Sequence, residues 1–167
     1  MTPSPIYSIN ATKNELWVGG EDLLLFYDRE KDFWRTFGLE TGMPSGKVLD
    51  INVDSTHVWI ASSSGLSRIS RKDKKIDPVG FEYLFSGLPV YQVKNQKDFL
   101  WIGAWSGIYL YSKLSPQLKN GMEFGQRYFD QKITRVTAIK EYEDSIYIVG
   151  DLGIVKYDFD SSMWDLI

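Results

Sequence analysis

One short pattern recurs in phase four times along the chain: Leu16-Trp17-Val18-Gly19, Val58-Trp59-Ile60-Ala61, Leu100-Trp101-Ile102-Gly103 and Ile146-Tyr147-Ile148-Val149. Its aromatics, Trp17, Trp59, Trp101 and Tyr147, are 42, 42 and 46 residues apart. Ile9, Ile51, Val93 and Ile139 each lie eight residues before the aromatic of their own copy. A third column follows each aromatic, in Leu24-Leu25-Phe26-Tyr27, Leu66-Ser67-Arg68-Ile69, Ile108-Tyr109-Leu110-Tyr111 and Ile154-Val155-Lys156-Tyr157. A looser fourth column closes each unit at Phe33 to Phe37, Phe81 to Phe85, Phe124 to Phe129 and Met163 to Ile167. The runs are short and rich in β-branched and aromatic residues, and turn signals such as Ser62-Ser63-Ser64-Gly65 and Asp151-Leu152-Gly153 separate them. No sustained 3.6-residue apolar stripe is present, so helices should be scarce. Four strands per repeat of roughly 40 to 50 residues is the arithmetic of a propeller blade.

The expected fold is therefore all-β, a β-propeller of four-stranded antiparallel blades. The four blades are placed at 6–37, 48–85, 90–129 and 135–167, in one propeller segment covering residues 1–167. A β-sandwich also has strands every 8 to 12 residues or so. It has no need of the same aromatic at the same phase in every copy.

With these columns in view, the chain resembles the two-component regulator propeller repeat. The strongest match is Leu100-Trp101-Ile102-Gly103-Ala104-Trp105-Ser106-Gly107-Ile108-Tyr109, supported by Gly42-Met43-Pro44 and Gly87-Leu88-Pro89 ahead of inner strands. The resemblance implies a periplasmic or extracellular sensor propeller of a hybrid histidine kinase that responds to oligosaccharides. A related role is a structural subunit of a secretion or surface assembly. Members usually carry more blades. This chain has four repeats and no kinase, membrane-spanning or Ig-like segment, so signalling is an expectation about a larger protein.

Whole blades at both ends raise an edge problem. Burying a large apolar side chain is worth about 1.5–3 kcal/mol, so open blade faces are costly and prone to association. Closure as four blades, a homodimer closing an eight-bladed ring, or completion by another propeller segment would each solve it.

Composition narrows the chemistry. The net charge of −3 disfavours nucleic acid as a partner. No run of about 18 apolar residues exists, so no membrane span and no direct membrane contact are expected, and no signal peptide is visible. The absence of cysteine removes disulfides and thiolate metal sites. With His57 the single histidine, a catalytic triad or a histidine zinc site is hard to assemble. No Asp-x-Asp-x-Asp-Gly loop is present. No cofactor, no metal and no catalytic residue are expected. A propeller lyase or hydrolase is the weaker alternative.

The periodic aromatics Trp17, Trp59, Trp101 and Tyr147 should pack between blades. Trp105 differs. It occupies the turn between second and third strands, where the other copies have Glu21, Ser63 and Asp151. Such turns are expected on one face with the links leading into the inner strands, and loops on a rigid scaffold carry function. Trp105 could stack on a sugar ring or anchor a protein, and Glu21, Asp22, Asp151 and Ser63 could add a polar rim. Gly42 to Lys47 has the wrong spacing for a phosphate loop. Arg71-Lys72-Asp73-Lys74-Lys75 reads as a solvated turn, His57 as a satisfied turn residue, and Asn10-Ala11-Thr12 as a glycosylation sequon by pattern only.

Overall fold

The computed structural model describes residues 5–77, 84–115, 117–120 and 133–167, the segment 117–120 as backbone. Among the described residues fifteen strands form four antiparallel sheets, each a simple meander in chain order. Sheet 1 holds β1 (Ser8–Ala11), β2 (Glu15–Gly19), β3 (Leu24–Asp28) and β4 (Phe33–Phe37). Sheet 2 holds β5 (Val48–Val53), β6 (His57–Ser62) and β7 (Gly65–Ser70). Sheet 3 holds β8 (Val90–Gln96), β9 (Phe99–Ala104), β10 (Gly107–Ser112) and β11 (Gln117–Asn120). Sheet 4 holds β12 (Ala138–Tyr142), β13 (Ser145–Gly150), β14 (Gly153–Asp158) and β15 (Met163–Leu166). Among the described residues helix is confined to the 3-10 turn Leu39–Thr41 and to Leu84, also in 3-10 conformation.

The expected outer strands of sheets 2 and 3, at Phe81 to Phe85 and Phe124 to Phe129, fall largely outside the described residues. In sheet 2, Ile76 bridges Ile69 in the outer position, while Phe85 lies in a turn beyond. In sheet 3 the outer place belongs to Gln117–Asn120, paired with β10. The segments 78–83 and 124–129 lie outside the described residues. Outer strands have one partner each, so their sequences are the least constrained in a blade.

The chain divides into two compact units, Met1–Val90 and Tyr91–Ile167. In the first, one face of sheet 1 meets sheet 2. Register explains which residues face inward: Trp17 pairs across with Phe26, and Gly19 with Leu24 and through it Phe37. These four apolar side chains form one core with Met43, Val48, Ile51, Val58, Ile60 and Ile69. The Trp17 ring lies 4.6 Å from Phe26 and 5.9 Å from Phe37. Two side chains of β1 tie the sheets: Ser8 Oγ donates to the Val48 carbonyl at 2.8 Å, and Asn10 Nδ2 to that of Ile51 at 2.9 Å.

The second unit repeats the joint. Trp101 and Ile108 share a core with Val136, Ile139, Ile146, Ile148, Val155 and Trp164. Gln92 accepts from the Ile139 amide, and Lys94 pairs with Glu141 at 3.2 Å. Glycine is required in both joints by close approach. A Cβ on Gly19 would stand 2.4 Å from Val48 Cγ1, and one on Gly103 2.7 Å from Val136 Cγ1. The sheets of each unit thus pack face to face, as propeller blades do, with the phased tryptophan as the filler. Trp17, Trp59 and Trp101 are buried; Tyr147, on the other face of sheet 4, is half-buried.

Candidate functional site

The hairpins between second and third strands are fastened to the links that lead into inner strands. In the first unit the Gly46 amide donates to Asp22 Oδ1 at 2.6 Å, and the Asp22 amide returns a bond to the Gly46 carbonyl at 3.0 Å. One residue on, the Lys47 amide donates to Ser63 Oγ at 2.9 Å, and the Ser63 amide to the Lys47 carbonyl. The link into sheet 2 is therefore held by the hairpins of two consecutive sheets. Gly46, at φ 109°, passes so close that a Cβ would stand 2.3 Å from Ser63 Oγ. Glu21 bridges Lys47 through the backbone and accepts from the Tyr7 hydroxyl at 3.4 Å. The Lys47 ammonium lies 5.2 Å above the Tyr7 ring.

The same device recurs in the second unit. The Thr134 amide donates to Asp151 Oδ1 at 2.7 Å, and its hydroxyl donates to Asp151 Oδ2. Partial burial pushes the Asp151 carboxyl up, but these Thr134 donors outweigh it and hold the group below the usual carboxylate range. The Arg135 amide then donates to the Trp105 carbonyl at 2.9 Å. Trp105 itself is 49% exposed, with the exposed Arg135 guanidinium 5.6 Å above its ring. Arg135 has φ 46°, an uncommon conformation for a residue with a side chain.

The residues expected at a polar rim therefore do not act alike. Asp22, Ser63 and Asp151 are occupied in holding links. Glu21 and Trp105 keep side chains at the surface, each beside a cation that the sequence reading did not single out, Lys47 and Arg135. Their signal was their position in the link, one residue ahead of Val48 and Val136. An aromatic face beside a guanidinium can stack on a sugar ring or an aromatic side chain while presenting donors to oxygen ligands.

A second feature of the first unit escaped the sequence reading. Two of the cations in the basic run 71–75 turn inward to a buried carboxylate. Glu15 receives Lys74 Nζ at 2.8 Å, Arg71 Nε at 3.1 Å and Trp17 Nε1 at 3.2 Å. Burial pushes the Glu15 carboxyl up, yet these donors prevail and its pKa is lowered. Beside it lies an open groove of about 540 Å³ lined by Glu15, Ser55, Thr56, His57, Ser70, Arg71 and Lys72. Both His57 nitrogens are engaged, Nδ1 with Thr56 Oγ1 at 2.8 Å and Nε2 with Asp77 at 2.9 Å. Among the described residues, no group of three or more His, Asp or Glu is placed to hold a metal ion.

No family model matches the sequence, and no curated protein matches it. Solved structures do. The extracellular domain of the hybrid two component system BT4673 from B. thetaiotaomicron matches 99% of this chain with TM-score 0.78 at 16% identity. PorZ, a bacterial surface component of the type-IX secretion system of Porphyromonas gingivalis, matches all of it with TM-score 0.69 at 9% identity. The chain spans only 22% of the BT4673 domain and 23% of PorZ. The computationally designed Ika4 protein is of similar length: the match covers 95% of this chain and 93% of Ika4, with TM-score 0.67 and 16% identity. The chain is a β-propeller segment. Its blades share their fold with the BT4673 domain. Among the described residues, no helix is long and apolar enough to cross a membrane.

Proposed function

We propose that this chain is a non-catalytic recognition module on the periplasmic or extracellular side of a bacterial envelope, the ligand-sensing part of a two-component receptor. Its ligand is an oligosaccharide or a protein segment, taken up on the face where hairpins meet links. Trp105 carries the reading: a half-exposed indole, set on a hairpin whose backbone is fixed by Arg135, with the guanidinium on its ring. The hairpin is ordered before the ligand arrives, so binding loses little chain entropy. Further propeller blades complete the array. The likeness to PorZ favours a second reading, a structural subunit of a surface or secretion assembly.

Glycan-array screening followed by calorimetry tests the proposal. Trp105→Ala should weaken the best glycan about tenfold or more, a loss of about 1.4 kcal/mol, with the fold intact by circular dichroism. Unchanged affinity would remove Trp105 from the site. Failure to bind any glycan or peptide would favour the structural role.

A further inference from the structure

The geometry points to the outer face of sheet 1 as a docking surface for a further propeller blade, one with a large aromatic and, two residues later, a glycine on its second strand. The inference is independent of ligand recognition, since it concerns a sheet face and not the hairpins.

The repeat itself supplies the argument. Ile6, Val48, Val90 and Val136 occupy one repeat column, and Ile9, Ile51, Val93 and Ile139 another. Six of these eight side chains are fully buried, whereas Ile6 is 53% and Ile9 67% exposed. The neighbouring columns behave alike. Val58, Leu100 and Ile146 are buried, as are Ile60, Ile102 and Ile148, but their sheet 1 counterparts Leu16 and Val18 are only half-buried. Cross-strand pairing extends the surface: Val18 faces Leu25, and Leu16 faces Tyr27, whose ring stacks 4.6 Å from the exposed Trp34. This apolar face carries no charged side chain in the rows Ile9-Val18-Leu25-Thr36 and Ala11-Leu16-Tyr27-Trp34.

What fits such a face is visible in the two internal joints. On Val48, Ile51 and Ile60 sits Trp17, with Gly19 leaving room for Val48. On Val136, Ile139 and Ile148 sits Trp101, with Gly103 leaving room for Val136. The chain's own sheet 4 is poorly suited to the same joint. It has Tyr147 in place of the tryptophan and Val149 in place of the glycine, where even a Cβ would meet the next blade. Lys156 and Asp165 replace the Phe26 and Arg35 of sheet 1. A blade face made polar and branched resists stacking, as the outer faces of terminal repeats do. The partner of sheet 1 is thus a blade of another propeller segment bearing Trp-x-Gly, and not a second copy of sheet 4.

Sedimentation velocity on the full chain tests this with its own sheet 4 as the probe. Tyr147→Trp with Val149→Gly should turn that face into a donor and produce concentration-dependent association, about doubling the weight-average mass. Adding Ile9→Lys should return the variant to monomer. Val149→Gly alone, a milder change, should shift the mass weakly in the same direction if the double variant folds poorly. The wild type should remain monomeric. A folded double variant and a folded Val149→Gly that both stay monomeric would overturn the proposal. So would a wild type that associates through its unmodified sheet 4, or association that persists with Ile9→Lys.

Discussion

Replacing Glu15 by Gln isolates the charge at the joint between sheets 1 and 2. The side chain is nearly isosteric but neutral, so it leaves Lys74 and Arg71 facing one another without their carboxylate. Removing one partner of a fully buried pair costs about 3–5 kcal/mol. Here the Glu15 side chain is 11% exposed, but those of Arg71 and Lys74 are 27% and 18% exposed. Both cations also keep backbone acceptors, Arg71 the Asp54 carbonyl at 2.8 Å and Lys74 the Arg71 carbonyl at 2.9 Å. Water and these bonds reduce the loss to roughly 1.5–3 kcal/mol. Urea denaturation at pH 7 measures it. The pH dependence has a definite sign. Glu15 has its pKa lowered in the folded chain, so its contribution is complete above the unfolded value near ~4.3 and is lost as pH falls through the folded value. The gap between wild type and Glu15→Gln should therefore narrow on acidification. A gap below about 0.5 kcal/mol at pH 7, or one that stays constant down to acid unfolding, would refute the reasoning.

Three further outcomes follow from the same packing. Gly103→Ala should cost about 1–3 kcal/mol by thermal melt, because the added methyl meets Val136 Cγ1 and the Val136 carbonyl. Trp101→Ala should cost about 3–5 kcal/mol, and Tyr147→Ala less than half as much, since Tyr147 is only half-buried. Asp158 accepts from the Ser161 amide and hydroxyl and from Lys156, which lower its pKa to about 2. Carbon-detected NMR titration should find it there, and Ser161→Ala should raise it. The stability it supplies is complete above the unfolded value near ~3.9 and lost as pH falls toward about 2.

The columns of the repeat were legible because each is imposed by a joint. Ile51 and Ile139 must receive an indole, so their column is Ile or Val in every copy, and Gly19 and Gly103 must admit a valine, so theirs is small in every copy but the last. The outer strands give the loosest column because a strand with one neighbour and a solvent edge tolerates many sequences. Of the hairpin residues, Trp105 and Glu21 stand at the surface as the turn pattern implied. That Asp22, Ser63 and Asp151 hold links was not legible, because short polar side chains in a turn carry no sign of what they bond. Their partners, Gly46, Lys47 and Thr134, are backbone amides 16 to 24 residues away. Glu15 was overlooked for a similar reason: its cations, Arg71 and Lys74, lie 56 and 59 residues downstream in a run that looked solvated.

Trp17 and Trp101 pack between the sheets of their own units, and methyl-to-indole nuclear Overhauser contacts measure that directly. Trp17 ring protons should show cross-peaks to methyls of Val48, Ile51 or Ile60, and Trp101 ring protons to methyls of Val136, Ile139 or Ile148. Indole cross-peaks confined to residues of each tryptophan's own sheet would contradict it.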